Sequence, residues 1–98
     1  MGWTVKIEDE NGNAKRTMTG ELILSDDEVL SNENFRLLKY LDPQGDTTFN
    51  SFMFEDLIKD FIELKKLLPA DEEQIDTVIE YAKACNDDIH IYLKFYGD

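Results

Sequence analysis

The stretch "IHIYLKFYG" (89–97) decides the fold. Ile89, Ile91, Leu93 and Phe95 fall on one side and His90, Tyr92, Lys94 and Tyr96 on the other, the two-residue period of a strand buried on one face. Upstream lie two segments with a helical period instead. The first spans about 52–68, where Phe54, Leu57, Ile58, Phe61, Ile62, Leu64 and Leu68 trace an apolar stripe, with Asn50 or Ser51 as cap and Pro69 as terminator. The second opens at Asp71, with Gln74 three positions on in a capping-box arrangement. It buries Ile75, Val78, Ile79 and Ala82 and stops near Cys85–Asn86.

A one-faced strand after two amphipathic helices needs other strands to pair with, and the N-terminal half supplies them. Trp3, Val5 and Ile7 alternate with Thr4, Lys6 and Glu8, and "DENGN" (9–13) follows. Asn11-Gly12 predicts a two-residue turn with positive φ at both positions, and a return strand over about 15–24 that shares Met18, Leu22 and Leu24 on one face, with Gly20 as a bulge. "SDDEVLSNEN" (25–34) lacks periodicity and reads as a loop with one helical turn at 26–30. "FRLLKYL" (35–41) reads as a third strand closed by the Pro43 turn, and Thr47–Phe49 as a further short strand. The expectation is a single α+β domain over 1–98. It has an antiparallel-rich sheet of four to five strands and two helices on one face, in the order β-β-β-α-α-β.

Composition narrows the function. Twenty-two acids against ten bases give a net charge of −12, which disfavours nucleic acid and anionic membranes as partners and suits a basic protein or a cation. Solubility alone is the competing explanation of that charge. Hydrophobic residues form 42% of the chain, so the acidity does not imply disorder. One cysteine and one histidine preclude an intramolecular disulfide and leave a tetrahedral zinc site dependent on carboxylates; no cofactor or metal is expected. With no leader and no apolar run near the ~20 residues of a membrane helix, a cytoplasmic protein is expected.

Four places invite a chemical reading. "YLDPQGDTTFN" (40–50) has the polar density of a phosphate or cation site and makes Asp42 and Asp46 candidate ligand residues. Yet Asp42-Pro43-Gln44-Gly45 suits a type I turn, and the glycines and lysine of a phosphate loop are missing. "DENGN" has alternating oxygen donors, but a calcium loop starting at Asp9 would place Ala14 where glycine is needed and Gly20 where the bidentate glutamate belongs. Cys85 and His90 are near in sequence. A thiol at a helix C-terminus beside Asp87 and Asp88 is poorly placed to ionise, so a small buried thiol is expected and no catalytic residue is assigned.

The fourth place is the surface. Asp56, Asp60 and Glu63 on the first helix and Glu72, Asp76 and Glu80 on the second are spaced by three or four, predicting acidic ridges on the outer helix faces. Asp56, Asp60, Glu63, Asp76 and Glu80 are therefore the candidate partner-binding residues. Tyr92 and Tyr96 join them on the outer sheet face, where exposed tyrosines favour an interface.

The segments "YLDPQGDTTFN", the acidic amphipathic helix and the terminal "LKFYGD" together resemble a group of small, acidic, largely uncharacterised bacterial proteins that has no catalytic signature. In size, charge and lack of cysteine pairs the chain is also similar to bacterial toxin-immunity proteins. That resemblance implies a non-enzymatic inhibitor of a basic nuclease-type toxin. A small cation-dependent hydrolase or ligand-binding protein using the 42–50 loop, and a structural homodimer joined through the tyrosine face, are the alternatives.

Overall fold

The computed structural model describes residues 2–42, 44–85 and 88–97. Strand β1 (Trp3–Asp9) turns into β2 (Ala14–Thr17); β3 (Asp46–Phe49) precedes α1 (Phe54–Leu67) and α2 (Glu72–Cys85), and β4 (Ile91–Gly97) ends the fold. All pairings are antiparallel, and the spatial order is β2-β1-β4-β3. The α+β architecture with the β-β-β-α-α-β order is as expected, although its third strand is a different one.

The terminal strand lies in the middle of the sheet because β1 and β3 both need it. Its seven residues pair along the whole of β1, from Trp3 opposite Gly97 to Asp9 opposite Ile91, and with β3 on its other edge. The inner face carries Trp3, Val5, Ile7, Phe49, Leu93 and Phe95, all buried against helix residues such as Phe61, Leu64, Ile75 and Val78. Phe95 is the centre of this layer. Its ring meets Phe49 edge-on at 5.6 Å and stacks on Phe61 at 6.0 Å, arrangements that add to burial alone.

Several local expectations need correction. The hairpin does not use two positive-φ residues: Gly12 alone has φ of +82°, and Gly12 N–H donates to Asp9 O at 3.0 Å. That is a type I turn completed by a left-handed glycine, and a bulge at Lys15 resets the register so that Glu8 faces Ala14. The return strand stops at Thr17 instead of reaching Leu24. Met18 N–H still donates to Val5 O at 2.9 Å, Gly20, at φ +74°, then turns the chain, and an isolated bridge joins Trp3 and Leu22.

"FRLLKYL" is not a strand. It holds a short 3-10 turn at Leu38–Tyr40, with Phe35, Leu38 and Leu41 pointing into the core. A second 3-10 turn at Asp27–Ser31 realises the helical turn expected in the 25–34 loop. Ile89, expected on the inner face, is 63% exposed in the turn before β4, and Ile62 is likewise exposed at 40%.

The helix caps differ as well. Asn50 accepts from Phe52 N–H, one turn before α1 begins, and Asp71 and Gln74 form no capping box. Their side chains reach across to the 23–25 segment. Gln74 accepts from Ile23 N–H at 2.9 Å and donates to Ile23 O at 3.0 Å, as a strand neighbour would, while Asp71 accepts from both the backbone and hydroxyl of Ser25. Pro43 and the expected helix end at Asn86 lie outside the described residues. Among the described residues no helix is long and apolar enough to cross a membrane.

Candidate functional site

The residues singled out from the sequence divide between two surfaces, the outer side of the helix pair and the open face of the sheet. On α1, Asp60 does not belong to the acidic ridge at all. It is 5% exposed, and its carboxylate accepts from the backbone N–H groups of Arg36, Leu37 and Leu38 at 3.3, 2.7 and 3.2 Å. Asp60 thus caps the Leu38–Tyr40 turn from another element. The signal was present: Asp60 lies three residues after Leu57 and four before Leu64, within the buried stripe.

The remaining helix acids are outside, and most have cationic neighbours. Asp56 faces Arg36 at 3.7 Å, Glu63 pairs with Lys66 at 3.1 Å, and Asp76 pairs with Lys65 at 2.8 Å. This last contact raises the Lys65 pKa, chiefly through the hydrogen bond to Asp76. α1 lies alongside α2 and supplies Asp76 with this lysine, a link between helices that spacing within one helix does not reveal. The exposed carboxylates of Glu72, Glu73 and Glu80 make no hydrogen bond or ion pair among the described residues, although the charge of Glu72 is felt by Lys65 and the Glu73 carbonyl accepts from the Thr77 hydroxyl.

The 40–50 segment is held together by its own polar groups. Asp42 accepts from Gln44 N–H through its side chain and from Gly45 N–H and the Trp3 indole through its carbonyl. Asp46 opens β3 opposite Tyr96 and is exposed. Among the described residues, no group of three or more His, Cys, Asp and Glu side chains is positioned to hold a metal ion. Cys85 is 1% exposed, and burial, reinforced by the negative charge of Asp88, pushes its thiol up to about 11. Asp87, expected to add to that repulsion, lies outside the described residues.

The open sheet face carries the more unusual chemistry. Cross-strand pairing sets Thr4 against Tyr96, Lys6 against Lys94 and Glu8 against Tyr92. Two lysines directly opposite would repel, and both ammonium groups sit by the Tyr96 ring, at 5.4 and 4.9 Å from its centroid. Tyr92 and Tyr96 are half-buried instead of fully exposed, Tyr92 facing Glu8 and Tyr96 facing Thr4 and Asp46 on the neighbouring strands.

Beside them Glu8 is only 5% exposed although no helix covers it. One carboxylate oxygen accepts from the Tyr96 hydroxyl, and the other has Lys94 Nζ at 3.9 Å. The Tyr96 hydroxyl pKa is raised by burial and by donating to Glu8. That of Lys94 is raised chiefly by its hydrogen bond with Tyr96. Next to Glu8 a cavity of about 220 Å3 opens, lined by Glu8, Asp9, Glu10, Gly12, Thr48, Tyr92 and Lys94. The sequence placed Tyr92 and Tyr96 on this face; it did not single out Glu8, since an acid at an outward strand position ordinarily faces water.

No protein-family model matches the chain, and no curated protein or solved structure does so either.

Proposed function

We propose that the chain is a non-enzymatic protein-binding module of the immunity or inhibitor kind, whose exposed carboxylates engage a basic protein such as a toxin domain. The observation that carries this reading is where the charge is left. Among the described residues, Lys15, Arg36, Lys59, Lys65, Lys66 and Lys94 lie within ion-pair distance of an acid of the same chain. Arg16 lies over the Tyr81 ring and Lys6 by Tyr96. The excess of acids therefore stands at the surface, on Asp26, Glu28 and Glu33 of the loop and on Glu72, Glu73 and Glu80 of α2. A field of that sign steers a basic partner and speeds its encounter.

The partner is sought by capture from host lysate at low salt, then purified and remixed with the chain. Association of the two pure proteins should slow steeply between 50 and 200 mM salt, and a Glu72→Lys, Glu73→Lys, Glu80→Lys variant should associate at least about tenfold more slowly. A rate indifferent to both salt and charge reversal overturns the reading.

A further inference from the structure

Resting on the basic-partner reading, we propose that the cavity beside Glu8 is the socket for one guanidinium or ammonium side chain of that partner, hydrogen-bonded to Glu8 and laid against Tyr92. The cavity of about 220 Å3 has room for about seven waters at about 30 Å3 each, enough for the head of an arginine or lysine.

The state of each lining group points to a cation. Asp9 is committed to the hairpin: its Oδ1 accepts from Asn11 and Asn13 N–H, both at 2.9 Å, and its other oxygen faces Lys15. Glu10 stands at the mouth, exposed, with His90 Nδ1 at 3.1 Å from its Oε2. Glu8 Oε2 is taken by Tyr96. Glu8 Oε1 differs from all of these, because the Lys94 ammonium at 3.9 Å is beyond hydrogen-bonding distance and no other donor reaches it among the described residues.

That oxygen belongs to a residue 95% removed from water, yet no fully enclosed side-chain oxygen or nitrogen among the described residues lacks a partner. Oε1 is therefore reached from the cavity. An incoming N–H of a cationic head gives this oxygen a charge-assisted hydrogen bond that no described residue supplies. Tyr92, directly across the strand pair from Glu8, presents an aromatic wall of the kind that attracts such heads. Lys94 also lines the cavity, its ammonium 3.9 Å from Glu8 Oε1 and 4.9 Å from the Tyr96 ring centroid, so an incoming cation adds a hydrogen bond that Lys94 does not make.

The test uses the full chain, labelled with nitrogen-15, and three probes: Nα-acetyl-arginine amide, its lysine counterpart and the neutral citrulline isostere. The two cations should give saturable amide shifts at Gly12, Thr48 and Tyr92, and citrulline should give none. Glu8→Gln keeps an acceptor for Tyr96 but loses the charge, and should weaken binding about tenfold, the factor for one charge-assisted hydrogen bond. Tyr92→Leu should weaken it too, and serves alone if Glu8→Gln perturbs the fold.

Equal shifts with citrulline, or cation binding indifferent to both variants, overturn the socket. A hexa-arginine peptide separates the two readings. If it shifts Glu72, Glu73 and Glu80 while the cavity stays silent, the socket fails and the basic partner stands; if it shifts nothing, both fail.

Discussion

Asp60 and Glu8 are equally hidden from water, each 5% exposed, and they are held in opposite ways. Asp60 lies on the helix side of the sheet and receives three backbone N–H groups, so both of its oxygens are fixed by the main chain of residues 36–38. Asp71 does similar work for Ser25. Glu8 lies on the open side and is held by side chains alone, the Tyr96 hydroxyl and a distant lysine. A carboxylate bonded to backbone fixes a loop and is part of the fold. One hidden only by its neighbours' side chains, with an oxygen still open, retains the capacity to bind something else.

The largest test of that contrast is Asp60→Ala. Three N–H groups would lose their acceptor in the core, and the unfolding free energy should fall by about 4 kcal/mol in urea titrations. The Leu38–Tyr40 turn, which has no side-chain cap of its own, should lose hydrogen-exchange protection with it. A loss under about 1 kcal/mol would mean that water replaces Asp60 easily, and the contrast with Glu8 would collapse.

Asp60 also explains what the sequence did and did not disclose. The two helices, β1, β4 and the place of the hairpin turn, though not its type, follow from periodicity and turn chemistry within a few residues. The 35–41 run is short and apolar enough to suit either regular structure, and its actual form as a 3-10 turn is set by Asp60, 22 to 24 residues away. In the same way β2 ends at Thr17 because Gly20 turns the chain, and Gln74, which reads as a cap, serves as a strand neighbour 51 residues away. Local patterns encode elements whose partners are near in sequence. Glu8 and Asp76 owe their state to neighbours on other elements, and so the candidate surfaces were legible in outline only.

Cys85 sharpens the comparison by being buried with no hydrogen-bond partner for its thiol among the described residues, the negative charge of Asp88 outweighing the positive charge of Arg16. Its thiol titrates near 9.0 in the unfolded chain and at about 11 in the folded one. Below pH 9 both states hold the proton and stability does not depend on it. Between pH 9 and 11 the unfolded chain releases the proton first, so it binds fewer protons and folding stability falls, by about 3 kcal/mol once both have titrated. Lys65 and Lys94, whose pKa values are raised above 10.5, begin to lose their own contributions as pH passes that value. Urea midpoints across this range for the natural chain and Cys85→Ala isolate the thiol, and identical slopes would show that it is not sheltered.

Glu8→Gln should cost far less than Asp60→Ala, about 1 kcal/mol, because the amide oxygen still accepts from Tyr96 and only the weak attraction of Lys94 is lost. A loss as large as that of Asp60→Ala would place Glu8 among the loop-holding carboxylates and remove the physical basis for an open oxygen at the cavity.

The smallest effect belongs to the helix acids. Lys65–Asp76 and Lys66–Glu63 are close pairs, but their side chains are between a third and two-thirds exposed, where screening and side-chain entropy cancel most of the attraction. Asp76→Ala and Glu63→Ala should therefore leave the urea midpoint within experimental error and make it no more sensitive to salt. What they should change is association with the basic partner, slightly, since each pair is nearly neutral at a distance, whereas Glu80→Ala removes a charge that makes no ion pair among the described residues and should slow association more. If Asp76→Ala proved the more damaging to association, the contact would lie on the seam between the helices, and the Lys65–Asp76 pair would have to open for the partner to bind.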